Sequence, residues 1–230
     1  MITCSVCGQQ NEDLAVVCVS CKAFLQSKVD ALNLFETVWC LVESPRTAFK
    51  RIVLSQHKNY VVVLSCLTGV HVVYYVIWYK NLGNAFADLM VLLGTGLVAG
   101  PPLGIMCTLV FSAVVAKLTN MVGQRVSMRN TFAVVAYAGV PVICSLVLVF
   151  PVEMAIFGSY FFGTNPSPMV LKPAEYLILL GLDSLAVVWS LSLLADGLMV
   201  LTGLTRRRAV LATVGLAGVV CVCAVALNFL

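Results

Sequence analysis

Five long apolar runs, separated by short polar stretches, make up most of this chain: residues 60–79, 89–116, 131–150, 177–201 and 209–229. An apolar run of about 20 residues is long enough, as a helix, to cross the ~30 Å hydrocarbon core of a bilayer. The pattern therefore predicts an all-α integral membrane protein with five transmembrane helices. The second run is longer than one perpendicular span and contains Gly94, Gly96, Gly100, Pro101, Pro102 and Gly104. Divided at Pro101, it would give two pieces of about 14 residues, each too short to span. It reads instead as one span, about 94–116, kinked at the two prolines, with an interfacial lead-in from Ala85. In the third run Pro141 interrupts the span and Pro151 closes it, which leaves residues 153–173 as an outer loop.

The polar stretches set the topology. Residues 117–129 form a basic island between the second and third runs, with Lys117, Arg125 and Arg129. Lys22, Lys28, Arg46, Lys50, Arg51 and Lys58 precede the first run, and Arg206, Arg207 and Arg208 lie between the fourth and fifth. With five spans all of these fall on one side, against Lys80 and Lys172 on the other. Short loops rich in Lys and Arg remain cytoplasmic, so the N-terminus is expected inside and the C-terminus outside. Four or six spans would carry a basic loop across the membrane.

Composition agrees with the pattern. The chain has 230 residues, of which 61% are hydrophobic and 10% charged, where a soluble domain has roughly 25% charged. Its mean hydropathy is +1.02. Met1 runs directly into a cysteine motif, with no basic-then-apolar leader pattern.

That motif is C-x2-C-x10-C-x2-C, formed by Cys4, Cys7, Cys18 and Cys21. Four thiolates in two close pairs can close a tetrahedron around zinc. A redox pair, an iron centre or a site that has lost its metal are the alternatives. A segment of about 20 residues buries little core, so a metal would supply its folding energy. A closed site of four cysteines has no open position for water and reads as structural. The expected cofactor is one structural zinc per chain, and reduced thiolates put this end in the cytoplasm. The remaining six cysteines are scattered, mostly in apolar runs, and behave as small hydrophobes.

Residues 30–43 place Leu32, Leu34, Phe35, Val38, Trp39, Leu41 and Val42 on one half of a helical wheel and Asp30, Asn33, Glu36, Thr37 and Glu43 on much of the other. This is an amphipathic helix with an acidic polar face, suited to packing on the membrane domain or a partner as well as to lying on lipid. Ser44–Pro45 starts a second, basic helix. The divisions expected are a zinc ribbon at 1–28, amphipathic and juxtamembrane helices at 29–58, and a five-span domain at 59–230.

Three polar side chains inside the runs are candidate functional groups: His71, Asp183 and Asp196. A hydrogen bond to a neighbouring span is the simpler account of His71. Snorkelling, or pairing with a Lys or Arg of the same side, is the simpler account of each Asp. The two Asp residues do not share a helix face, which speaks against a carboxylate relay. Gly96, Gly100 and Gly104 form a GxxxGxxxG ridge, expected to receive a neighbouring helix.

The segment 117–141, KLTNMVGQRVSMRNTFAVVAYAGVP, resembles the Yip family, in which a Gly-containing loop leads into a helix carrying AYxxxP, here Ala136, Tyr137 and Pro141. ESPRTAFKRI at 43–52 is similar to that family's helix before the first span, and TGLTRRRAV at 202–210 to its last basic turn. The resemblance covers roughly residues 30–230. It implies a five-span protein with a cytoplasmic N-terminus. Eukaryotic members are linked to vesicle traffic and small GTPases. The CxxCG…CxxC start looks like the zinc ribbon of many prokaryotic membrane proteins, which suggests a prokaryotic relative in the cytoplasmic membrane.

The functional expectation is a non-enzymatic scaffold or membrane-organising protein, with the ribbon binding a cytoplasmic protein partner and a homo-oligomer open. A transporter, channel or lipid-moving protein built on the Gly/Pro-rich second span is the alternative. The chain has no HExxH, GxSxG or phosphate-cradling motif, so no enzyme is expected. Lys22 and Lys28 alone near the ribbon are too few for a nucleic-acid footprint.

Overall fold

The computed structural model describes residues 2–12, 15–25, 32–121 and 126–226. The expected roles of Lys28, Asp30 and Arg125, and the end of the fifth span at 227–229, lie outside the described residues. The chain divides into two compact units, Met1–Asn59 and Tyr60–Leu230.

The first unit begins with two short antiparallel strands, β1 (Ile2–Thr3) and β2 (Gln10–Asn11). Two helices follow, α1 (Leu34–Glu43) and α2 (Pro45–Leu54), packed on each other. Asn33 caps α1 by accepting from the backbone N–H of Phe35 at 3.1 Å. Pro45 opens α2 in the first turn, where its missing N–H costs nothing. An ion pair joins the two helices, Arg51 Nη1 to Glu36 Oε1 at 2.6 Å.

The second unit is helical. It comprises α3 (Val61–Tyr79), α4 (Leu89–Met121), α5 (Met128–Ala138), α6 (Val140–Leu148), α7 (Phe150–Phe157), α8 (Pro168–Leu171), α9 (Pro173–Thr202) and α10 (Arg206–Ala226). Two 3-10 turns, Leu82–Ala85 and Gly158–Phe162, join these elements. Four stretches among the described residues are long and apolar enough to cross a membrane: α3, α4, the run α5–α7 with its 3-10 extension, and α9. The protein is therefore an integral membrane protein with a cysteine cluster at its N-terminal end.

The second apolar run is a single helix. Pro101 and Pro102 sit inside α4, and the expected lead-in before residue 94 is helical from Leu89. The third run differs from expectation at its end. Pro151 does not close it but starts α7, as Pro141 starts α6, each proline lying in a first turn. Residues 153–162 thus continue the helical path instead of forming an outer loop. They bring Phe157, Phe161 and Phe162 into a buried cluster with Val70, Tyr74, Ile77, Leu92, Leu146 and Leu179. Tyr74 is part of this core. Its ring stacks on Phe150 at 4.5 Å and its hydroxyl donates to the Leu93 carbonyl at 2.8 Å.

The α3–α4 pair has the most extensive packing in the bundle. A Cβ placed on Gly69 would collide with the Gly100 carbonyl and the Gly104 backbone, and one on Gly104 with the Ser65 carbonyl and the Gly69 backbone. A Cβ on Gly100 would meet the Val70 backbone, and one on Gly96 the Tyr74 ring. The two backbones approach so closely because Gly69 faces the glycine ridge of α4. The ridge is visible as a spacing, whereas Gly69 alone in its run carries no such signal.

Candidate functional site

The four N-terminal cysteines converge. Their sulfurs all lie within 4.8 Å of one another. Cys4 Sγ is 3.6 Å from Cys21 Sγ, and Cys7 Sγ is 3.6 Å from Cys18 Sγ. A tetrahedron with Zn–S bonds of about 2.3 Å has edges of about 3.8 Å, so the spacing suits a tetrahedral ion. Cys4 and Cys18 are buried while Cys7 and Cys21 are exposed.

Two matching turns produce this geometry. Gly8 N–H donates to the Cys4 carbonyl at 2.9 Å, and Lys22 N–H to the Cys18 carbonyl at 3.1 Å. Gly8 and Lys22 each follow the second cysteine of a pair, and both have positive φ, 73° and 59°. The left-handed residue closes the turn so that both sulfurs of a pair point inward. The first turn joins β1 to β2, and the second lies between Val17 and Phe24, which form a bridge.

Asn11 ties the two turns together. It is buried, its Nδ2 donates to the Gln9 carbonyl at 2.8 Å and to Cys18 Sγ at 3.6 Å, and its Oδ1 accepts from Val19 N–H at 2.9 Å. Such an outer partner orients a ligating thiolate. Sequence reasoning missed Asn11, because a polar residue in a short polar segment has no distinguishing pattern.

The charge balance favours a cation. The backbone N–H of Cys21 is the main cause that brings the Cys18 thiol down to about 6. The Cys4 thiol is lowered, first by the backbone N–H of Cys7. At Cys21 the Ala23 N–H favours the thiolate, but the sulfurs of Cys7, Cys4 and Cys18, together with burial, push it up to about 12. Thiolates this crowded resist a further negative charge, and a divalent ion removes that repulsion. The four cysteines could thus bind a metal.

A second group of polar side chains lies inside the bundle. Ser145 Oγ on α6 donates to Asp183 Oδ1 on α9. The Glu153 carboxyl on α7 is hydrogen-bonded to the same Asp183 and is only 3% exposed. His71 on α3 is half-buried and within electrostatic reach of Asp183. Asp183 thus meets a serine and a second carboxyl, with His71 within electrostatic reach, instead of the Lys or Arg expected from the sequence. Asp196 lies 13 residues further along α9, about 20 Å at 1.5 Å per residue, and is half-buried. Glu153 was placed in an outer loop by the sequence reading. The signal that could have found it is proline as a helix start.

Neither curated proteins nor solved structures give a match to this chain. A family model does: the Yip1 domain matches residues 39–227, beginning within α1 and covering the whole of α10. The match begins after the cysteine cluster, so the metal-binding candidate is an addition to the domain. With most of its length matched, the chain belongs to the Yip1 domain family.

Proposed function

We propose that this protein is a non-enzymatic scaffold or membrane-organising protein whose N-terminal module, folded around one structural zinc ion, docks a cytoplasmic protein partner. The observation that carries this reading is the four-cysteine cluster in a module that leaves several large apolar side chains exposed. Val6, Val19 and Phe24 are all exposed within residues 2–25. A metal that closes the fold frees such side chains from core duty and leaves them for a partner. The closed ligand set has no open position for catalysis. Deleting residues 1–25 should abolish co-purification of the partner from native membranes in mild detergent. A partner set unchanged by the deletion would refute the docking role.

The membrane domain in this reading has five spans, with α10 as the fifth, a cytoplasmic N-terminus and an outer C-terminus, in a prokaryotic cytoplasmic membrane. The support is the one-sided Lys and Arg distribution and the 21-residue length of α10. A periplasm-dependent phosphatase fused after Leu230 should be active. A dead phosphatase fusion with a fluorescent cytoplasmic one would remove the fifth span.

A transporter role has one specific observation in its favour, the Glu153–Asp183–Ser145–His71 group contributed by four helices. The glycine ridge of the second span does not support it, because Gly96, Gly100 and Gly104 are taken up by contact with α3. Ion or lipid flux in proteoliposomes that disappears in Asp183→Asn would favour transport over scaffolding.

A further inference from the structure

We infer that the exposed apolar stripe of α1 lies in the headgroup–acyl boundary of the bilayer in which the chain is anchored. The helix has two different faces. Thr37 and Leu41 are buried. Phe35, Trp39 and Val42 recur at i, i+4 and i+7, on one side of the helix, and are 87%, 63% and 55% exposed. Three large apolar side chains in line on a 10-residue helix form a strip that water does not favour.

Chain connectivity indicates what covers the strip. Only residues 55–60 separate the end of α2 at Leu54 from the start of the first span at Val61. Six residues reach about 20 Å at full extension. Ser44 alone separates α1 from α2. The strip is therefore tethered to the point where the chain enters lipid, and a seat there continues the lipid contact of the spans. The side chains suit that place, since Trp and Phe favour the interface between headgroups and acyl chains.

Charge removes the main objection. Acidic residues beside a lipid-seated face would oppose an anionic surface. Of the two on α1, Glu36 is paired with Arg51. Across residues 32–59, Arg46, Lys50, Arg51 and Lys58 outnumber Glu36 and Glu43. The segment is net basic and is attracted to anionic headgroups. Seated in this way, α1 lies in the membrane plane. The inference does not depend on what the module binds.

The test uses the full chain in vesicles of phosphatidylcholine and phosphatidylglycerol. The fluorescence lost in Trp39→Phe, obtained by difference from the unsubstituted protein, isolates the Trp39 signal among three tryptophans. That signal should be blue-shifted, quenched by lipids brominated high on the acyl chain, and protected from aqueous iodide. Phe35→Ser, which leaves Trp39 in place, should reduce the bromolipid quenching. A water-like emission quenched by iodide would overturn the inference. So would a blue-shifted signal that bromolipids do not touch, since protein would then cover the stripe. Quenching unchanged in Phe35→Ser would overturn a seat formed by the stripe as a unit.

Discussion

The cysteine module and the α3–α4 pair are held together by opposite means. In the module, order comes from four sulfurs within 4.8 Å of one another and from backbone turns that aim them, while Val6, Val19 and Phe24 stay exposed. In α3–α4, glycine backbones meet directly, and the ridge contributes no side chain at all. A module of about 25 residues has too little apolar surface to bury, and on the proposed reading it relies on a bound metal. A membrane bundle gains little from excluding water and relies on shape, because close backbone approach maximises dispersion contacts. The two regions should therefore fail under different perturbations.

If the proposed zinc is bound, the largest effect is expected at Cys18, the fully buried cysteine of the cluster. Cys18→Ser should cost the module most of its metal-linked folding energy, on the order of 10 kcal/mol for such sites. Backbone amides of residues 2–25 should lose hydrogen-exchange protection while thermal melting of the spans stays unchanged. Next comes the helix pair. Gly104→Leu sets a side chain against the backbone of α3, and overpacking of this kind costs about 1–3 kcal/mol. The detergent-solubilised melting temperature should fall clearly. Gly181→Leu is the control, since a Cβ there meets nothing within 4 Å, and it should leave melting nearly unchanged. Equal effects from the two substitutions would show that α3–α4 does not depend on its glycines.

Smaller effects are expected from polar contacts. Ser145→Ala removes the hydrogen bond to Asp183, and interhelical bonds of this kind average about 0.6 kcal/mol. Chemical denaturation in mixed micelles should detect a shift of that size. Glu36→Gln breaks an exposed ion pair with Arg51 and should cost at most about 0.5 kcal/mol, less at high salt. A loss well above that would mean the α1–α2 contact depends on charge more than on its buried face.

The same contrast explains what could be read from the sequence. A metal site would impose a fixed local geometry, so the convergence of Cys4, Cys7, Cys18 and Cys21 was legible from their spacing alone. The ridge of Gly96, Gly100 and Gly104 is legible for a similar reason, as a period on one helix. Its counterpart Gly69 is not, since contact between distant segments leaves no local trace. Glu153 was misplaced because proline was read as a stop, whereas Pro151 occupies a first helical turn and extends the path inward. Asp183 was legible as an acid inside an apolar run, but not its neighbours, which come from α3, α6 and α7. Asn11 was invisible because its role exists only once the two cysteine turns face each other.

The central claim is that a metal-held module is joined to a bundle held by packing. Hydrogen exchange of the full chain in nanodiscs, with and without a membrane-impermeant zinc chelator, tests it most directly. Chelation should release zinc and erase protection across residues 2–25 while leaving amides of α3, α4 and α9 protected as before. A module that keeps its protection after chelation, or that yields no zinc to elemental analysis, would contradict the claim.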